Sequence, residues 1–560
     1  MKTQNVPGSF KQSSRALKAA TLLFLVAFVV IFSTQCAVAQ GFKMTQLNAP
    51  GNTNGTFPNA VNTSGAVVGT LTDSSGNTDG FLYSGGKYTA LDFPGASGFT
   101  RALGINDSGT VVGDFYESSD NAYHGYTYKA GVYTQYDVDL GKVSTSIFGI
   151  NSAGDFTGPE GAGGVDEGYT TIGGTVTEFY ASGTDNTFPY AINSADEVVG
   201  QYFDSSNNSH GFYRGAKGAI KEIAYPGATQ TGCIGINDAG EITGYYVDTS
   251  GNGHGFTYVK GKYATDDFLF TGGVNSKGAY VGYYVGPDGI VYGYLASPQA
   301  FKLTEEKVPH SQQGLYYGVN NAGVYVGQYV ASNGTTHGMM ISGSKVTNID
   351  DKKGVTTTCF GINSSNVIVG AYYDTAGNPH GFQYTAGKFK DIPGPAGATS
   401  SEASGINDAG DIAGEFTDSS GNNHGFTLKA GKYTQLDVPG AIATFAWGIN
   451  TAGEVTLQWY DSNSYLESAL YNGKKYTTIN VPGAFFSGVH SINTAGDIVY
   501  SWDDVYGNEH GALKEGNSYF IFDYPNGSNT GSEGINDNGL LVGHYTPAGQ
   551  TVPQPYQGTE

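Results

Sequence analysis

One eight-residue phrase constrains this chain more than anything else in it. Its cleanest copy is GINDAGDI, Gly405 to Ile412. With its Asn as anchor, copies stand at Asn62, Asn106, Asn151, Asn193, Asn237, Asn275, Asn320, Asn363, Asn407, Asn450, Asn493 and Asn536. Ten of the eleven spacings lie between 42 and 45 residues, and Asn237 to Asn275 is 38. A period of this length means one supersecondary unit, stacked or set in a circle. What repeats then specifies architecture, and function has to be sought where the units differ.

Three positions after the anchor the residue is Gly, except for Asp196 and Asn366. Gly, Asn and Asp tolerate positive φ, so the position demands a left-handed backbone, and Asn-x-x-Gly reads as a tight hairpin turn. In the clean unit, Glu402 to Ala441, a short strand follows from Asp411 to Phe416, with a Gly in its middle. Gly in a strand marks close backbone approach or a bulge. A turn at Asp418, a strand from His424, a hairpin at Ala430-Gly431-Lys432 and a fourth strand from Tyr433 to Asp437 complete the unit. Val438-Pro439-Gly440 then breaks the pairing, since Pro cannot donate to a ladder. No stretch beyond the first forty residues has helical periodicity.

Four short strands in about 43 residues, repeated, describe a β-propeller blade. The fold class is therefore all-β, with twelve blade-like units. Phe42 to Gly51 matches a fourth strand and its crossover, whereas the last unit ends in Gln550 to Glu560 without a recognisable fourth strand. The N-terminal strand is thus expected to complete the last unit, which taken literally predicts one closed ring of twelve. Rings usually hold four to eight blades, which favours two rings of six over residues 40–300 and 301–560. The junction is expected near Asp266 to Val274 or the irregular stretch Pro298 to Gln313.

Residues 1–39 read as a signal peptide. Lys2, Lys11, Arg15 and Lys18 precede an apolar run, Thr21 to Phe32, and Ala37-Val38-Ala39 supplies the cleavage pattern, so the mature chain is expected to begin at Gln40. The run is short for a membrane span. Cys36 would be the modified residue of a lipoprotein, but Ser33-Thr34-Gln35 lacks the small residue expected before it. The expected location is extracellular or at the cell surface, with the periplasm as the alternative. Removing this segment leaves 23 basic against 49 acidic residues, a formal charge of −26, with Arg101 and Arg214 the remaining arginines. Nucleic acid and anionic membrane surfaces are disfavoured as partners by that sign. The remaining cysteines, Cys233 and Cys359, occupy equivalent places three units apart and read as buried small residues rather than a disulfide.

Seven histidines recur before Gly: His124, His210, His254, His337, His380, His424 and His510. One per unit, spread around a ring, suits a repeated structural hydrogen bond, to a fourth-strand acid such as Asp92, Asp137 or Asp437, better than a metal centre. The acidic turns at Asp73, Asp204, Asp248, Asp374, Asp418, Asp461 and Asp504, with Glu117 in the second unit, bear some likeness to calcium loops. Each offers one acid where calcium needs six to eight oxygens, so turn formation explains them without a cofactor. No GxSxG, HExxH or Cys/His cluster is present, and no catalytic, cofactor or metal residue is assigned. Acids are plentiful, so a carboxylate pair for glycoside chemistry stays open. The irregular spots are Pro159 to Asp166, Trp459-Tyr460 and Trp502-Asp503-Asp504.

The tripeptides His210-Gly211-Phe212, His254-Gly255-Phe256, His380-Gly381-Phe382 and His424-Gly425-Phe426 follow an Asn-x-x-Gly turn and an acidic turn. In this arrangement the chain resembles the bacterial extracellular HAF repeat family, named after His-Ala-Phe, with Gly in the middle position here. The resemblance implies an exported, β-rich repeat protein and brings no activity or site residues. The expectation is a binding or interaction scaffold for glycan, peptide or another surface protein. The alternative is a carbohydrate-active hydrolase or lyase with acids gathered at a propeller funnel.

Overall fold

The anchor Asn builds the turn it introduces. In the computed structural model, residues 36–559 are described apart from 52–54, 139–143, 163–164, 182–185, 267–269, 286–289, 309–310, 505–506 and 526. Asn407 Oδ1 accepts the Asp411 amide at 2.9 Å, while the Gly410 amide donates to the Asn407 carbonyl at 3.0 Å. Gly410 sits at φ 83°, and the two exceptions to Gly, Asp196 and Asn366, at 60° and 57°. The left-handed position expected from sequence is there in every repeat, because only that geometry returns the chain within four residues.

The same side chain also reaches the next repeat. Asn62 Nδ2 donates to the carbonyl of Asn106, Asn106 to Asn151, Asn151 to Asn193, Asn193 to Asn237 and Asn237 to Asn275, at 3.0–3.3 Å. Asn275 then donates back to the carbonyl of Asn62 at 2.9 Å, across 213 residues. A second series runs from Asn320 to Asn363, Asn407 and Asn450, and from Asn493 to Asn536, which returns to Asn320 at 2.9 Å. Asn450 turns its amide to Glu454 Oε2 instead, at 2.8 Å. All twelve anchors are 3–6% exposed, so each bond satisfies a buried carbonyl that would otherwise cost free energy.

The repeats form four-stranded antiparallel sheets, the first strand of the Asn151 repeat being split into Ser144–Thr145 and Gly149–Ile150. In the Asn407 repeat the strands are Ser400–Ile406, Ile412–Thr417, Asn423–Lys429 and Lys432–Leu436, with a register shift between Ala403 and Gly405. That shift lets the first strand crowd its neighbour at the axis. A Cβ on the equivalent Gly448 would lie 2.9 Å from the His490 carbonyl oxygen of the next repeat. Successive sheets pack face to face, and the core lies between them. Val369 and Ile392 of one repeat, for example, meet Ala403, Ile412, Phe416 and Phe426 of the next. Burying a side chain such as Phe426 contributes about 1.5–3 kcal/mol. The architecture is that of a β-propeller, and no helix occurs among the described residues.

Closure differs from the expectation. The N-terminal strand Cys36–Leu47 does not pair with the last repeat. It lies against Val291–Glu305, Leu47 opposite Gly293, and so completes the Asn275 repeat. The far end of Val291–Glu305 pairs with the last strand, Gln554–Thr559, through Lys302–Glu305 and supplies the missing fourth strand of the Asn536 repeat. One 15-residue strand therefore serves two repeats, and the boundary expected between residues 300 and 301 falls inside it. Cys36–Leu47 also pairs with Ser518–Phe522, giving one 11-stranded sheet that leaves fewer open edges. Of the expected leader, residues 1–35 lie outside the described residues. Among the described residues no helix is long and apolar enough to cross a membrane.

Candidate functional site

The repeated candidates are absorbed by the fold. His424 Nδ1 lies 2.8 Å from Asp437 and Nε2 3.5 Å from Asp418, and the ring stacks on Phe416 at 5.1 Å. His124, His337 and His510 make the same bond to Asp137, Asp350 and Asp523, at 2.9–3.0 Å, and His210 bonds Glu222 at 3.1 Å. His254 and His380 reach the turn acids Asp248 and Asp374 at 3.3 and 3.1 Å. The expected structural role holds, and the imidazole additionally ties the acidic turn to the sheet. Asp418 spends one oxygen on the amides of Ser420 and Asn422, at 2.7 and 2.9 Å, and the other on Asn422 Nδ2 at 3.1 Å. Trp502 occupies the slot of Phe416, stacked on His510 at 4.6 Å. Cys233 and Cys359 are free and buried, and burial pushes both thiols up. Three possible ligand atoms do converge within 4.8 Å in Glu117, Asp120 and His124, and in Glu160, Glu167 and Glu178.

The informative position is the third residue before each anchor, on the first strand, where side chains face the axis. Across the repeats from Asn320 to Asn536 it holds Tyr317, Phe360, Ser404, Trp447, His490 and Glu533. All six line one cavity of about 110 Å³, beneath the turn layer. A second cavity of about 330 Å³ shares Tyr317 and Phe360 and adds Gln328, Thr336, Thr356, Thr358 and Tyr373. Aromatic edges meet around the first cavity. Tyr317 packs on Phe360 at 5.4 Å, Phe360 on Trp447 at 6.2 Å and Trp447 on His490 at 5.1 Å.

Two carboxylate systems stand beside this wall. Glu533, 8% exposed, lies 3.0 Å from His490 Nδ1 and 3.4 Å from His544 Nδ1, and His544 Nε2 lies 3.3 Å from Glu509. Burial opposes the charge on His544, yet the two acids overcome it and push the imidazole up to about 10. Burial likewise works against the Glu533 charge, and the two imidazoles hold it below the usual carboxylate range. Gly531 makes this convergence possible. A Cβ there would lie 2.5 Å from His544 Cε1, 2.6 Å from Ser501 Oγ and 2.7 Å from Glu509 Oε1.

The second system is Glu402 and Glu415, directly opposite each other on paired strands. Tyr373 donates its hydroxyl to Glu402 at 3.1 Å. Burial raises both carboxyls, and the charge of Glu402 raises Glu415 further. Tyr317 stands near both systems, its phenol pushed up by burial and then by Glu533 and Glu402. Two donors here lack partners: Trp447 Nε1 and Ser501 Oγ are buried without a hydrogen bond among the described residues. Unpaired buried donors cost about 1–3 kcal/mol each, and a ligand bearing acceptors would recover that.

The repeats from Asn62 to Asn275 hold Asn59, Leu103, Phe148, Tyr190, Ile234 and Gly272 in the same position. Arg101 there is bound by the fully buried Asp114, Nε to Oδ1 at 2.9 Å. The acids of the second series were not singled out by sequence. For Glu533 the signal was present, since this position varies in chemistry from one repeat to the next while the two residues after it stay Gly, Ala or Ser and then Ile or Val.

No family model matches the chain, and no curated protein matches it in sequence. Among solved structures it is similar to a gluconolactonase from Xanthomonas campestris, at 10% identity over 46% of this chain and 89% of that one, TM-score 0.32. It is also similar to the lectin BP39L from Burkholderia pseudomallei, at 12% identity over 58% and 94%, TM-score 0.27. A third is the β-propeller domain of a trilobed protease from Pyrococcus furiosus, at 10% identity over 59% and 92%, TM-score 0.25. Likenesses this distant assign no function.

Proposed function

We propose that this chain is an exported binding protein of the HAF-like repeat type, made of two six-bladed propellers in tandem, and that its second propeller holds a saccharide in the axial cavity. The six-membered return of the Asn series supports the ring count. The observation that carries the binding reading is the lining itself: six different side chains around one axis, an aromatic wall, and the unpaired donor Trp447 Nε1. A sugar offers both a hydroxyl acceptor for that donor and hydroxyl protons for Glu533, while its C–H faces suit Tyr317, Phe360 and Trp447. Titrating a panel of neutral mono- and oligosaccharides by calorimetry tests this. Binding that weakens on Trp447→Phe, which keeps a ring and removes the N–H, supports the site, and no binding across the panel contradicts it.

A second reading is a glycoside hydrolase or lyase at the same cavity. One observation favours it: Glu533, which lines the cavity, is held ionised by the two imidazoles beside it, the state a nucleophile or general base of glycoside chemistry needs. Turnover of a bound glycan, lost in Glu533→Gln, would establish it over simple binding.

A further inference from the structure

We infer that the saccharide taken by the second propeller carries a free amino group, with Glu402 and Glu415 as its counter-charge; this rests on the saccharide reading above. The starting point is an imbalance between the two acid systems. Glu533 and Glu509 have His490 and His544 against them. Glu402 and Glu415 face each other across paired strands, with the Tyr373 hydroxyl as a neutral donor and no cation among the described residues acting on them. Like charges directly opposite on a sheet are destabilising. The equivalent pairs in the neighbouring repeats, Thr358 with Ala371 and Phe445 with Gln458, show that the fold does not require acids there. A costly pair in one repeat, joined through Tyr373 to the second cavity, is what a positively charged ligand would compensate.

The surroundings decide which cation. Calcium takes six to eight oxygen ligands, whereas Glu402 accepts from the Tyr373 phenol, and Tyr373 lines the second cavity together with the rings of Tyr317 and Phe360. Aromatic rings beside carboxylates suit an ammonium group, through cation–π attraction and charge-assisted hydrogen bonds. Neither cavity has a Lys or Arg in its lining, and the imidazoles of His490 and His544 already face Glu533 and Glu509, so acidic sugars find no free counter-ion. The unpaired Trp447 donor on the first cavity asks for an oxygen acceptor besides. An amino sugar meets both demands, and as its ammonium enters, the carboxyl pair gives up its proton to the solvent.

Calorimetric titration of the full chain with glucosamine, glucose and N-acetylglucosamine at pH 7, in buffers of different ionisation enthalpy, tests this. The expected result is glucosamine binding on the order of tenfold more tightly than glucose, with proton release, and with N-acetylglucosamine behaving like glucose. Glu415→Gln should erase the preference for glucosamine over glucose together with the proton release. Equal binding of glucosamine and glucose without proton release would overturn this inference and leave the saccharide reading standing. No binding by any of the three sugars would overturn both. Calcium binding that competes with glucosamine and is lost in Glu402→Gln would replace the amine by a metal.

Discussion

Replacing Asn106 by Asp separates the two roles of the anchor residue. Asn106 Oδ1 accepts the amides of Ser108 and Thr110 at 3.2 and 3.0 Å, which an Asp oxygen reproduces. Its Nδ2 donates to the Asn151 carbonyl at 3.0 Å in a site 6% exposed, which a carboxylate cannot do. The lost bond and the orphaned carbonyl together cost about 1–3 kcal/mol, and a carboxylate pressed against that carbonyl adds repulsion, so about 3 kcal/mol is expected at pH 7. At about 2–4 °C per kcal/mol for a unit of this size, Asn106→Asp should melt about 6–12 °C lower by scanning calorimetry. The deficit should shrink as the pH falls and the carboxyl gains a proton, because a protonated Asp can donate to the Asn151 carbonyl again. An Asn106→Asp protein melting with the wild type at pH 7 would show that the residue only forms a turn, and the inter-repeat latch would be refuted.

Other consequences can be measured on the same footing. His424→Ala removes the bond to Asp437 and the stack on Phe416, so it should cost about 1–2 kcal/mol of stability without changing sugar binding; an unchanged melting point would count against the structural role. His544 has a folded pKa of about 10, above its unfolded value near 6.5. Its contribution is therefore full below pH about 6.5 and is lost as pH rises through about 10, on the order of a few kcal/mol. Denaturant midpoints should fall across that window and fall less in His544→Gln; identical pH profiles would refute the pairing with Glu533 and Glu509. Gly531→Ala drives a methyl group into Ser501, His544 and Glu509, and should cost about 1–3 kcal/mol and weaken sugar binding, whereas full affinity would place the ligand elsewhere.

What the sequence disclosed follows from what is local. The Asn-x-x-Gly turn, the Gly within the second strand and the four-strand order depend on residues a few positions apart, and each is found where the pattern put it. The latch from Asn106 to Asn151 is different, since it joins positions 45 residues apart and has no signature beyond the Asn itself. The closure was misread for a related reason. Pro298 to Gln313 looked irregular because it carries the fourth strand of a repeat that begins more than two hundred residues later. The candidate site was hidden by the regularity that revealed the fold. His490 and Glu533 sit in register with Phe360 and Ser404, and only convergence on an axis brings these unlike residues to one cavity. The seven repeated histidines, by contrast, drew notice through a regularity that serves the sheets.

The axial cavity requires the proposed six-by-six closure, with Asn536 returning to Asn320. Small-angle scattering of the purified chain tests this most directly. Two propellers in tandem predict a pair-distance distribution with a main peak for one propeller and a shoulder for the separation of two centres. A single wide ring with a depleted centre would contradict the closure, and with it the cavity and the proposed ligand.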